Sequence, residues 1–364
     1  MSRERHARHG VTERQELRRS APGRRRRVRR AAAIAAASAA ALAGLAGPAP
    51  GAFASGPQST PPLIAVVTQT TTTPEGDLLV KQGGLSATWN HEYTGVSQAA
   101  VASDPVHGPL IALVTDTGQV LVKEGSLTAA WTTEYTGAAE VAVASDPANG
   151  PLIALVTDTG QVLVKEGSLS AAWTTEYSGV LQVGSQIAVA SDPVNGPLIG
   201  VVTSAGELLV KQGSLSAAWN HEHSGVYQVA VASDTAHGPL IATLTTAGEM
   251  LVKQGSLTAG WDSEHSGVGD IAVASDPVNG PLLAAQLFSP DHSLGDLLVK
   301  EGSLTAGWTL EHDEVFQNAV ASDPVLGPLI GIQTYSSDVL AKEGSLSAGW
   351  TTERTDTAQV AVAG

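Results

Sequence analysis

Seven tryptophans at near-constant spacing carry most of the binding chemistry this sequence offers. Trp89, Trp131, Trp173, Trp219, Trp261, Trp308 and Trp350 stand 42, 42, 46, 42, 47 and 42 residues apart. The residue four after each is Tyr93, Tyr135, Tyr177, His223, His265, His312 and finally Arg354. Every one of these companions donates a hydrogen bond, and several can stack. A repeated indole packs well between neighbouring sheets. It equally offers a flat face to the C–H side of a sugar while the companion fixes the hydroxyls. The residues alone leave both readings open, with packing ahead.

Two charged residues share the period. Lys81, Lys123, Lys165, Lys211, Lys253, Lys300 and Lys342 each precede their tryptophan by eight, and Glu92, Glu134, Glu176, Glu222, Glu264, Glu311 and Glu353 each follow it by three. Lysine and glutamate on adjoining strands form a recurring ion pair, worth about 0–1 kcal/mol if exposed. Seven identical acids do not make one asymmetric acid–base pair, so the structural role outweighs a catalytic one. His221 and His223 form a His-x-His that an extended strand places on one face. Two imidazoles could begin a metal site, but no third ligand is identifiable. The repeated Ser-Asp-Pro-x-Asn-Gly loops lack the spaced carboxylates of a calcium loop and read first as turns. No G-x-S-x-G, H-E-x-x-H, P-loop or dinucleotide fingerprint occurs, and there is no cysteine for thiolate catalysis. The expectation is no enzyme, no catalytic residue, no metal and no cofactor.

The elements that position these residues are strands. In the unit around Trp131, the apolar run Leu110-Ile111-Ala112-Leu113-Val114 suits a strand covered on both faces. Asp116-Thr117-Gly118 is a tight turn, Gln119-Val120-Leu121-Val122-Lys123 a second strand, and Trp131-Thr132-Thr133-Glu134-Tyr135 a polar outer strand. Glu140-Val141-Ala142-Val143-Ala144, small and β-branched, fits a crowded innermost strand. Helical repeats would need long runs free of Gly and Pro, which these units do not have. A 42-residue period of short strands predicts an all-β, seven-bladed β-propeller over residues 62–364, with four antiparallel strands per blade. The chain starts this region on a second strand, Leu63-Ile64, and ends on an innermost one, Val360-Ala361-Val362-Ala363. Pairing of these N- and C-terminal strands would close the ring and hide its free edges. Two insertions, near Val183-Gly184-Ser185-Gln186 and Ser289-Pro290-Asp291-His292-Ser293, fall on one face of the disc. That face is a place for a protein partner, or simply one that tolerates insertions.

The chain ends read differently. Of 20 Lys and Arg, twelve precede residue 55, culminating in Arg24-Arg25-Arg26-Arg27-Val28-Arg29-Arg30. An Ala-rich stretch from Ala31 to Gly47 follows, then Ala52-Phe53-Ala54, the parts of a secretory signal peptide over 1–54. Residues 55–61 form a short linker. Once the signal is removed, eight basic residues face 32 acidic ones, a net charge near −24. Phosphate backbones demand the opposite sign, so nucleic acid is excluded as a partner. Seventeen Ala-rich residues are short and weakly apolar for a membrane anchor, so cleavage is expected instead, with no stable membrane insertion after it.

The pattern Gly118-Gln119-Val120-Leu121-Val122-Lys123-Glu124-Gly125-Ser126-Leu127, leading to Trp131 and then Val141-Ala142-Val143-Ala144-Ser145, resembles the tectonin and tachylectin-type propellers, including seven-bladed bacterial lectins. The likeness runs from Pro62 to Gly364. It implies sugar sites between neighbouring blades; the residues themselves make the seven tryptophans, Tyr93, Tyr135, Tyr177, His223, His265 and His312 the expected ligand-binding residues. The expectation is a secreted, extracellular, non-enzymatic protein that binds glycans or glycoconjugates through several weak sites. The alternatives are a protein-docking propeller scaffold and a polysaccharide hydrolase or lyase with an acid pair at the channel mouth.

Overall fold

The computed structural model describes residues 61–68, 76–180, 186–288 and 295–364, and all regular structure among them is β-strand. The expected signal peptide, the linker apart from Pro61, and both insertions apart from Gln186 lie outside these residues.

One unit shows how the sequence builds a sheet. Strands Ala138–Asp146, Gly150–Thr157, Gln161–Glu166 and Thr174–Ser178 form an antiparallel meander in chain order. Its ladder pairs Val143 with Ile153, Ile153 with Lys165 and Leu163 with Thr175. The second strand is buried at every position, as its unbroken apolar run requires, while the outer strand is exposed at three of five positions. Turns are set by side-chain oxygens. Asp146 Oδ1 accepts from the Ala148 and Asn149 amides at 2.8 Å each, which confirms the Ser-Asp-Pro loops as turns. In the next turn Thr157 Oγ1 accepts from the Gln161 amide at 3.0 Å. Gly160 there has φ 77°, and a Cβ would lie 2.5 Å from the Val180 carbonyl oxygen, so no other residue fits.

Three of the sheets have four strands, and two have seven. The larger ones arise because Asn90–Asp104 and Thr309–Asp323 run unbroken from the outer position of one unit to the inner position of the next. Val96 pairs with Gly76 on one side and Thr115 on the other, and Val315 does the same with Gly295 and Thr334. Expected four-stranded sheets are thus fused in these two places by one doubly paired valine. The two chain ends meet: Leu63–Thr68 pairs antiparallel with Thr357–Ala363, Ala65 opposite Ala361.

The core lies between units rather than within them. One cluster joins Ala112, Val120 and Val122 to Val141, Val143, Ile153 and Leu155 of the following unit. Seven such clusters occur among the described residues, one at each junction, and one of them sets Ile64, Val66 and Leu79 against Ala319, Leu329 and Val339. Each fully buried Val, Leu or Ile contributes about 1.5–3 kcal/mol of transfer free energy. Polar belts reinforce the junctions. Ser145 donates to Asp104 and Ser191 to Asp146, both at 2.5 Å, and Ser233, Ser275 and Ser322 repeat the link.

A second belt clamps each innermost strand to the next. Gln98 Oε1 accepts from the Val141 amide at 3.0 Å, while Gln359 both accepts from and donates to the Ala99 backbone at 2.9 Å. Glu140 occupies the same position and accepts from the Gln186 and Ile187 amides at 3.3 and 3.4 Å. Burial outweighs these two bonds and pushes its carboxyl up to about 8. A neutral carboxyl has nearly the shape of the glutamine amide it replaces, with one O–H donor where the amide has two N–H donors. Below 4.5 the group is protonated in the folded and unfolded chain alike; between 4.5 and about 8 only the folded chain keeps the proton. Stability from this group therefore falls as pH rises through that window and levels above it. Glu140→Gln should raise the unfolding free energy most at pH 8 and above, by up to a few kcal/mol, and leave it nearly unchanged at pH 4.5. Chemical unfolding of both proteins across this range checks the divergence.

Candidate ligand-binding site

A regular strand sends consecutive side chains to opposite faces. The outer strands break that rule at one residue. Val120 pairs with Tyr135 and Leu121 with Thr133, so Glu134 is an extra residue, a β-bulge. The same skip recurs on all seven outer strands. It turns the glutamate and the aromatic residue after it toward the same neighbour. Glu134 then meets Lys165 while Tyr135 packs edge-on against Trp173, with ring centroids 6.1 Å apart.

The expected Lys–Glu pairs form, but across the junction and in the interior. Each lysine meets the glutamate of the preceding unit, and Lys81 of the first unit meets Glu353 of the last. No side chain in these pairs exceeds 6% exposure, so the value for an exposed pair does not apply. The ammonium is well satisfied. Lys81 Nζ donates to the Leu85 carbonyl at 2.6 Å as well as to Glu353, and lies 5.1 Å from the Trp89 ring centre. The glutamates are less so. Oε1 of Glu134, Glu176, Glu311 and Glu353 is buried without a hydrogen-bond donor.

The structure brings six of the seven predicted tryptophans, all but Trp89, to the companion of the preceding unit rather than to their own. Tyr93 packs on Trp131, Tyr177 on Trp219, His223 on Trp261, His265 on Trp308 and His312 on Trp350, all edge-on at 5.5–6.2 Å. All seven indoles are half-buried. Six donate Nε1–H to the backbone carbonyl of the glutamate in the preceding unit, at 2.9–3.3 Å. Every indole also has a lysine ammonium about 5 Å over its ring. Packing is thus a role every tryptophan performs. His223 and His265 each donate Nδ1–H to the next carbonyl at 2.7 Å, which leaves Nε2 outside that bond.

The His-x-His expectation fails for the same bulge. His223 stands opposite Leu208 and His221 opposite Leu209, so the two imidazoles point to opposite faces. His221 instead meets Glu207, and Ser224 Oγ donates to the same carboxylate at 2.8 Å. The His221 hydrogen bond, helped by Ser224, holds Glu207 below the usual carboxylate range. Ser224 Oγ and the carboxylate both meet Nε2 of His221, so the ring cannot relay a proton from one to the other. On the face of the Asp-Pro turns, burial raises the Glu124, Glu166 and Glu301 carboxyls, with the nearby turn aspartates adding to it.

The lysine and glutamate were visible in the sequence as a repeat, but their partnership across 31 or more residues was not. Lys165→Met leaves Glu134 buried and unpaired and should cost about 3–5 kcal/mol in thermal or chemical unfolding. Lys165→Met with Glu134→Leu should recover much of that loss. Equal losses in the single and double variants would show that the pair is not coupled.

No family model and no curated relative matches the chain. Solved structures do resemble it. The BP39L lectin from Burkholderia pseudomallei aligns over 81% of this chain and 99% of its own, with 15% identity and a TM-score of 0.58. BBS1N, solved in complex with ARL6DN, aligns over 75% of this chain and 86% of its own, with 13% identity and a TM-score of 0.52. These likenesses show the fold, and the lectin among them agrees with the resemblance to propeller lectins read from the sequence.

Proposed function

We propose that the chain is a secreted, non-enzymatic carbohydrate-binding protein, built as a closed seven-bladed propeller with repeated weak sites at its junctions. Seven apolar junction clusters, the pairing of Leu63–Thr68 with Thr357–Ala363, and a Lys81–Glu353 bridge like those elsewhere support the closed ring. One observation carries the functional reading. At six junctions a half-buried indole meets a half-buried Tyr or His at its edge, and four junctions hold a carboxylate oxygen without a donor. Aromatic edges beside hydrogen-bonding groups suit the C–H and O–H surfaces of a sugar. At these six junctions the indole N–H is already taken by the backbone and the glutamate lies in the interior, so Tyr and His supply the polar contacts. BP39L, similar in fold, is a lectin.

Linked weak sites gain from multivalency, because after the first contact later ones are intramolecular, and avidity rises a hundredfold or more. Residues 55–364 should bind densely glycan-coated surfaces at least about a hundredfold more tightly than the free sugar. Tyr135→Ala with Tyr177→Ala, which leaves the Lys–Glu pairs in place, should weaken surface binding severalfold. Absence of binding across a broad glycan array removes the reading.

A further inference from the structure

The units are near copies, and one region departs from them. Where a turn amide bonds back to the passage between units, earlier repeats carry Asp116, Asp158, Ser204 and Thr246. The sixth and seventh carry Phe288 and Tyr335 at that position, bonded to the Gly267 and Glu314 carbonyls at 2.7 and 3.0 Å. Phe288 is 50% exposed and Tyr335 47%. Phe316, half-buried at the start of the seventh innermost strand, stands edge-on to Tyr335 at 5.5 Å. Backbone strain falls in the same place. Glu314, Ser337 and Asp356 hold φ of 60, 68 and 57°, the only such non-glycine residues among those described. Glu314 and Asp356 stand where Gly137 and Gly225 stand in other units, and Ser337 where Gly118 does. Each left-handed residue costs about 1–2 kcal/mol. Asp313, its side chain 80% exposed, adjoins Glu314, and Asp338 lies across the turn.

Charge decides what would bind there. All seven lysines are buried in junction pairs, so Arg354 is the one exposed Lys or Arg among the described residues. The exposed charges among the described residues are thus almost all carboxylates, and an aromatic patch rimmed by carboxylates offers acceptors and apolar area but few donors. We infer that this patch docks one basic, apolar-bearing polypeptide segment per molecule, beside the His312–Trp350 junction and not across it. Tyr227, 41% exposed, stands at the Phe316 position of the fifth unit, but the turn beside it carries Thr246; the Phe316–Tyr335 pair occurs once among the described residues and so presents one site.

The probe is a fluorescein-labelled peptide of six Lys and six Leu residues, compared with one of six Lys and six Ser, titrated by anisotropy and calorimetry. The Lys/Leu peptide should bind one to one and at least tenfold more tightly than the Lys/Ser peptide. Phe316→Ser with Tyr335→Ser, which leaves net charge unchanged, should weaken binding at least tenfold. Asp313→Asn with Glu314→Gly, the latter restoring the residue of other units, should weaken it at low salt. Asp116→Asn with Asp158→Asn, at the matching turn of earlier units, should leave it unchanged. Thermal melts establish that the variants fold. Equal binding by the Phe316/Tyr335 variant, equal loss in the Asp116/Asp158 variant, or a stoichiometry near seven would overturn the proposal. So would binding of a free oligosaccharide in competition with the peptide at this patch. The Phe316/Tyr335 variant should retain the parent's glycan-array profile, so failure here stays separate from failure of the junction sites.

Discussion

A buried ammonium has to be satisfied or it unfolds its surroundings, and this chain buries seven. Each finds a carboxylate, a backbone carbonyl and an indole face, contributed partly by its own unit and partly by the unit before. No unit can complete that set alone. The requirement therefore selects an arrangement in which every unit has a predecessor, and for the first unit that predecessor is the last, through Lys81 and Glu353. Apolar clusters at the same junctions supply most of the driving force, while the charge set fixes register and orientation between sheets.

The β-bulge makes this possible and explains how far the sequence was legible. Strand type, repeat length and the meeting of Leu63–Thr68 with Thr357–Ala363 follow from residue patterns with a period of two and from counting along the chain. The bulge leaves no mark in alternation, because the outer strand is polar on both sides of it. Without it, Glu134 and Tyr135 point to opposite faces, and the lysine is assigned to the glutamate of its own unit. With it, both residues reach the next unit, and the His221/His223 pair is split between faces. The fusion of sheets at Val96 and Val315 was equally unreadable, since it depends on how extended one passage remains.

Fold and function separate cleanly here. BP39L is a lectin, whereas BBS1N was solved in complex with ARL6DN, and both resemble this chain in architecture. Discrimination rests on side chains: half-buried aromatic pairs repeat at six junctions, whereas exposed aromatics at the Phe288 and Tyr335 turns occur only in the sixth and seventh units. Repetition favours a ligand displayed densely on a surface, because no single site needs to be strong. Broken symmetry favours a partner met once. Both could coexist on one molecule because the seven lysines are sequestered, leaving Arg354 as the one exposed Lys or Arg among the described residues.

Seven interior lysines hold the junctions. Nitrogen-15 NMR of lysine-labelled protein near neutral pH reads each ammonium directly. Seven resolved ammonium signals in slow exchange with water, Lys81 among them, are what a complete ring of interior pairs requires. A single averaged signal exchanging as fast as free lysine would place these side chains in solvent and contradict the junctions described.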